Sequence, residues 1–178
     1  MNKRIFTSID LTHKIKQDIS SLQNKGIYWI KWSPPENFHI TLNFLGDLND
    51  DEIAVVKQVI AEVCGAFGPF TLDLSSLRGQ QDMLWLVAGQ SDELARLQWL
   101  LRTEFKKAGV GKTERRGYVP HVLIAKSKTG RHMSHIPEKF SPIELPVDRI
   151  NLYESKLTPG AATHILIQSY PLGTANED

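Results

Sequence analysis

Residues 38–45 read Phe38-His39-Ile40-Thr41-Leu42-Asn43-Phe44-Leu45, and residues 120–126 read Pro120-His121-Val122-Leu123-Ile124-Ala125-Lys126. Both are short apolar runs of strand composition with a histidine near the start. Side chains alternate between the faces of a strand. That places Phe38, Ile40, Leu42 and Phe44 on one face, which is wholly apolar and reads as core. His39, Thr41, Asn43 and Leu45 fall on the other. In the second run Val122 and Ile124 face the core, and His121, Leu123 and Ala125 share the opposite face. An imidazole, a hydroxyl and an amide in a row suit the lining of a cleft better than a solvated surface. The two histidines lie 82 residues apart in a chain of 178, and a helical pattern precedes each run. This points to two similar lobes.

Outward from these runs, Lys3–Asp10 alternates as a strand. Residues 12–25 carry Ile15, Ile19 and Leu22 at helical spacing, with Gly26 as the stop. Pro34 and Pro35 punctuate a loop. Asn49 with Glu52 forms a capping-box pattern that opens a helix to about Cys64, with Ile53, Val56, Ile60 and Val63 on one face. Residues 70–77 and 83–88 are expected as a hairpin. Ser91 caps a third helix holding Leu94, Leu97, Leu101, Phe105 and Ala108, which Gly109 ends. A polar, basic loop is expected over 127–142, then strands over 147–157 and 164–170. The order β-α-β-α-β-β-α-β-β-β argues for an α+β fold with largely antiparallel sheet and no separable domains.

Hydrophobic residues make up 41% and charged residues 23% of the chain, which is enough for a core without disulfides or a structural metal. Cys64 is the single cysteine, so an intrachain disulfide is excluded and a reducing compartment is expected. The run after Lys3 and Arg4 is too short and polar for a signal peptide. No stretch is long and apolar enough to span a bilayer, so a cytoplasmic, non-membrane chain is expected. Net charge is only +1, but residues 102–139 carry ten Lys and Arg against three Glu. A basic region on a neutral chain suits an anionic ligand such as phosphate or RNA. Arg115, Arg116, Lys126, Lys128 and Arg131 are the residues expected to touch such a backbone. His132 and His135 are the only close histidine pair and lack the partners of a zinc site, so no metal is expected. Trp29, Trp32, Trp85 and Trp99 read as core or cleft wall.

Two opposed imidazoles have a use. Histidine titrates near pH 6.5, so one ring can take a proton from water while the other gives one to a leaving oxygen. Hydrolysis of a cyclic phosphodiester requires such a pair, together with donors aimed at the non-bridging oxygens. Thr41 lies on the face of His39, about 6.7 Å further along the strand.

These runs resemble the paired H-x-T-x motifs of the 2H phosphoesterases, and the flanks narrow the likeness. Arg4-Ile5-Phe6 with Ile9-Asp10-Leu11, Asn37 through Gly46, Pro120-His121 with Lys126, and Leu152-Tyr153-Glu154-Ser155 resemble the bacterial RNA 2′,3′-cyclic phosphodiesterases, long called 2′-5′ RNA ligases. The resemblance implies one bilobal domain over residues 1–178, with two pseudo-symmetric lobes around a central cleft. It implies hydrolysis of RNA 2′,3′-cyclic phosphate ends to the 2′-phosphate with no cofactor, weak 2′-5′ ligation, and a monomer. It makes His39 the proton donor to the leaving 3′ oxygen and His121 the acceptor that activates water, an assignment the sequence alone does not fix.

One departure stands out. Leu123 occupies the substrate-binding position where the second motif has Thr or Ser. If the missing hydroxyl acts as an oxyanion donor, its loss costs roughly 10²–10³ in rate. Reduced catalysis is expected rather than none; the alternative is a member that binds RNA or nucleotide without turnover. Lys126 is a candidate replacement, but strict alternation points it away from the cleft, so the role requires a bulge. Asn43 and Phe6 complete the candidate substrate-binding set, with Phe6 placed to stack on a nucleobase. The family often has an aromatic or basic residue at the position of His164.

Overall fold

The computed structural model describes residues 2–23, 26–112, 117–133, 141–158 and 161–173. Nine strands form one antiparallel sheet in the order β7-β4-β5-β6-β3-β1-β8-β9, with β2 added to β6. The strands are β1 (Lys3–Asp10), β2 (Ile30–Trp32), β3 (His39–Leu48), β4 (Phe70–Gln80), β5 (Met83–Ala88), β6 (His121–Ser127), β7 (Ile143–Val147), β8 (Arg149–Thr158) and β9 (Ala161–Pro171). The helices are α1 (His13–Ser21), α2 (Asp50–Gly65) and α3 (Asp92–Lys107), with a 3₁₀ turn at Pro35–Asn37.

The caps read from the sequence at Asn49 and Ser91 form, and Thr12 adds a third. Thr12 accepts from Ile15 N at the start of α1, and Ser91 accepts from Leu94 N at the start of α3. Asn49 and Glu52 close a reciprocal capping box on α2, satisfying two donors that would otherwise be orphaned. Helix α3 buries Leu94, Leu97, Leu101 and Phe105, each worth about 1.5–3 kcal/mol of apolar burial. It packs on β3 and on α2, and α2 covers β8 and β9. Helix α1 ends at Ser21, short of the expected 25, and residues 24 and 25 lie outside the described ones.

The two motif strands sit side by side in the middle of the sheet. They pair only at Ile40 and Val122, both fully buried. From that joint one half runs β3-β1-β8-β9 and the other β6-β5-β4-β7. Two four-strand halves, each led by a histidine strand, give the two-lobed α+β architecture. The halves are not consecutive pieces of chain, however. The C-terminal hairpin β8–β9 completes the sheet around His39, because β1 pairs with β8 on its free side.

Strict alternation fails in both motif strands, at the same place. Between Thr7 and Ser8 of β1, β3 advances from Asn43 to Thr41, leaving Leu42 as an extra residue. Between Leu84 and Trp85 of β5, β6 advances from Ala125 to Leu123, leaving Ile124 extra. Leu42 and Ile124 each lie three residues after the motif histidine. Each bulge shifts the following side chains to the other face. A second shift leaves Leu45 extra. Phe44 is consequently half-exposed, with the Arg4 guanidinium 4.8 Å over its ring, and Leu45 is core, the reverse of the alternating reading. The freed carbonyls find partners elsewhere. Gln98 on α3 donates to Leu42 O at 3.5 Å, and Ser33 N donates to Ile124 O at 2.8 Å.

Candidate active site

Residues not taken into the core stand at matching offsets, His39, Thr41 and Phe44 on β3 and His121, Leu123 and Lys126 on β6, and all of them but Phe44 line one cleft. A cleft of about 560 Å³ is lined by His39, Thr41, His121, Leu123, Lys126 and His164, with Lys31 and Trp32 at its β2 side. It is within the usual range for a small-ligand site.

Both imidazoles are held in the same way. His39 Nδ1 lies 2.7 Å from the carbonyl of Asn37, and His121 Nδ1 lies 2.8 Å from the carbonyl of Val119. A carbonyl only accepts, so Nδ1 carries the hydrogen in each ring and Nε2 is the atom left to work. The carbonyl two residues back is supplied by a chain bend that enters the strand. For His39 that bend is the 3₁₀ turn opened by Pro34 and Pro35, and Asn37 Nδ2 ties it to Ala162 O of β9 at 3.2 Å. His39 Nε2 meets Thr41 Oγ1 at 3.1 Å, and the Tyr118 hydroxyl donates to Thr41 O at 3.2 Å. Leu123 holds the place of Thr41 on β6 and brings no hydroxyl.

Electrostatics and support differ between the two rings. Burial pushes His39 down to about 4, aided by His164 and opposed by its bond to Asn37 and by Asp10. Burial also lowers His121, against its bond to Val119. Under His39 lies Phe6, at 5.1 Å between centroids, with His164 edge-on to both. Under His121 lies Trp85, stacked face to face at 3.8 Å and 14°. Such a stack favours the charged imidazolium through the ring quadrupole. Asp10 accepts from the Tyr153 hydroxyl and from Ser8, which fixes a carboxylate behind the His39–His164 pair.

The sequence profile of the 2′-5′ RNA ligase superfamily matches residues 14–158. The chain belongs to that superfamily. Among its relatives is an RNA 2′,3′-cyclic phosphodiesterase of Thermotoga maritima, 28% identical over 173 residues and covering 88% of each chain. One of the same name from Methanothermobacter thermautotrophicus is 25% identical, covering 97% of this chain and 100% of its own. The fold is shared with E. coli LigT complexed with 3′-AMP (TM-score 0.83, 21% identity, 97% and 99% covered). It is shared too with TT0787 of Thermus thermophilus (TM-score 0.77, 19% identity, 96% and 98% covered).

Of the residues singled out from sequence, His39, Thr41, His121, Leu123 and Lys126 line one cleft, and the bulge at Ile124 is what turns Lys126 into it. Two others do not belong there as expected. Phe6 is 3% exposed and covered by His39, Tyr153 and His164, so its ring is the floor under the histidines and not a face for a base. Asn43 is turned by the bulge at Leu42 into a different, buried environment. Lys128 donates to Tyr28 O, and Arg131 lies over Trp29; neither lines the cleft. Arg115, Arg116 and His135 lie outside the described residues. Trp99 is 55% exposed, neither core nor cleft wall. Among the described residues no three His, Cys, Asp or Glu converge on a metal-sized site, and no helix is long and apolar enough to cross a membrane. Sequence reading missed Lys31, which pairs in register with Lys126. Strand β2 has three residues, too few for a periodic signal.

Proposed function

We propose that the chain is a metal-independent phosphodiesterase that opens 2′,3′-cyclic phosphates at RNA ends to 2′-phosphates, acting as one monomeric cytoplasmic domain. The observation that carries this reading is the pair of histidines in one cleft, each with Nδ1 tied to a carbonyl and Nε2 left for proton transfer. The relatives, RNA 2′,3′-cyclic phosphodiesterases, supply the substrate class.

In the reaction one Nε2 removes a proton from water, the water oxygen bonds to phosphorus, and the P–O3′ bond breaks. The other Nε2 gives its proton to O3′, leaving the phosphate on O2′. Thr41 and Lys126 steady the non-bridging oxygens, and Lys31 adds charge at the same end. The resemblance assigns the donor to His39. Burial keeps His39 neutral in the empty cleft, so that role requires the bound phosphate to recharge it. The stacked Trp85 makes His121 the ring better suited to hold a proton before substrate arrives. Weak 2′-5′ ligation would be the same chemistry with a ribose hydroxyl in place of water.

The test is turnover of adenosine 2′,3′-cyclic phosphate in EDTA, with wild type beside His39→Ala and His121→Ala. Hydrolysis to the 2′-phosphate that is lost in both variants is expected. Leu123 favours a second reading, a cleft that binds nucleotide without turning it over. No turnover by wild type, on this nucleotide or on a short RNA ending in the cyclic phosphate, would establish that reading instead.

A further inference from the structure

A second cavity, of about 380 Å³, opens where β3 parts from the segment leading into β6. Its walls come from β3, the C-terminal half of α3 and residues 109–112. That last segment is fixed, not draped. Lys112 N donates to Leu45 O at 3.2 Å, and Gly111, at φ +79°, lies so close to Leu45 that a Cβ would sit 2.7 Å from its Cδ2. Only glycine fits that approach without a shift.

The lining has a gradient. At one end are two buried amide side chains, Asn43 at 6% and Gln98 at 7% exposure. Asn43 Oδ1 has no hydrogen-bond partner among the described residues. Toward the mouth stand Arg102, Lys106 and Lys112, and among the described residues no lining residue is acidic. Gln98, Arg102 and Lys106 form one i, i+4, i+8 stripe of α3, leading from the interior to solvent. Two like charges at i, i+4 disfavour the helix. The neighbouring Lys107 is neutralised by Glu104 at 2.7 Å, whereas no ion pair is found for Arg102, Lys106 or Lys112 among the described residues. Phe105 and Val110 supply an apolar wall between the two ends.

We propose that this cavity is a second binding site, for the phosphate group of a mononucleotide-sized ligand. The three cations take the phosphate, as guanidinium and ammonium groups do. The apolar wall takes the body, with the buried amides of Asn43 and Gln98 behind it. The volume lies at the low end of small-ligand sites, which suits one nucleotide and not a longer strand. The site is separate from the cleft, since the two linings share none of the described residues. It is joined to it through Tyr118, which lines the cavity and holds the Thr41 carbonyl.

Calorimetric titration of the full chain with adenosine 5′-monophosphate tests this. Because it reads binding and not turnover, its outcome is independent of the reaction proposed for the cleft. Arg102→Gln with Lys106→Gln is expected to remove one bound molecule or to weaken that event by about tenfold or more. Thr103→Phe, which fills the cavity with its charges intact, is expected to remove the same event. Adenosine is expected not to bind there, and inorganic phosphate is expected to compete. Unchanged stoichiometry and affinity in both variants, or adenosine binding as tightly as its monophosphate, would overturn the proposal.

Discussion

Leu123→Thr should make this protein a faster phosphodiesterase. On β3, Thr41 Oγ1 lies 3.1 Å from His39 Nε2. On β6, Leu123 stands at the same offset from His121, ahead of a bulge at the same position, and it lines the same cleft. Threonine at 123 therefore brings a hydroxyl to the mirror-image place beside His121 Nε2. One oxyanion donor is worth about 10²–10³ in kcat. Thr41 and the lysines already supply part of the charge compensation, so the lower end applies, about 10² in kcat/KM. Against this stands the loss of roughly two carbons from a half-buried site, about 1 kcal/mol of stability and a fall of ~2–4 °C in Tm for a chain of this size. The assay is hydrolysis of adenosine 2′,3′-cyclic phosphate by Leu123→Thr and, as the converse, Thr41→Val. A folded Leu123→Thr no faster than wild type, beside a Thr41→Val that loses about 10², would refute the mirror-image argument. A Thr41→Val within about threefold of wild type would refute the idea that a hydroxyl matters at either position.

The pH profile follows from the histidines. Turnover needs one ring neutral and one protonated, and burial holds His39 at about 4 and His121 below its ordinary value. The singly protonated pair is thus most populated on the acid side of about 6.5, so kcat/KM should peak there and fall toward pH 8; a maximum above pH 7 contradicts this. The same shift links His39 to stability. Its folded value lies below its unfolded one, so its contribution is full above about pH 6.5 and is lost as pH falls to about 4, at most ~3 kcal/mol. Urea midpoints at pH 7 and 4.5 should therefore differ less in His39→Gln than in wild type, and equal differences would count against a buried neutral ring. His164 lines the cleft, with Nδ1 buried and without a hydrogen-bond partner among the described residues. His164→Phe keeps its packing on Phe6 and should cost about fivefold in kcat/KM, the worth of one hydrogen bond, whereas unchanged kinetics would leave it a packing residue.

The architecture and the motif histidines were legible because each rests on a local signal. Asn49 with Glu52, and Ser91, announce their helices, and the apolar runs around His39 and His121 announce their strands. What was not legible comes from register. Nothing in Phe38–Leu45 says that Leu42 drops out of the ladder, yet that omission decides the fate of Asn43, Phe44 and Leu45. The bulge at Ile124 turns Lys126 toward the cleft by the same means. Strand β7 falls between the loop expected over 127–142 and the strand expected from 147, because Pro146 breaks its pattern, which the strand tolerates at the edge of the sheet. Phe6 reads as a free aromatic until β8 and β9 are known to fold over it, through Tyr153 and His164, 147 and 158 positions away in sequence.

The single rung between the half-sheets has a mechanical consequence. Bending between two halves of a sheet concentrates where the fewest ladder pairs cross, and here that is the Ile40–Val122 pair. His39 and His121 are each one residue from that axis, a lever arm of about 3.3 Å, while Lys126 is four residues out, roughly 13 Å. A rotation of about 10° would then shift the histidines by only ~0.6 Å but the lysine end by ~2 Å. The joint works like the pivot of a pair of tongs: the jaws can spread for a bulky ligand while the gap between the two histidines stays nearly constant.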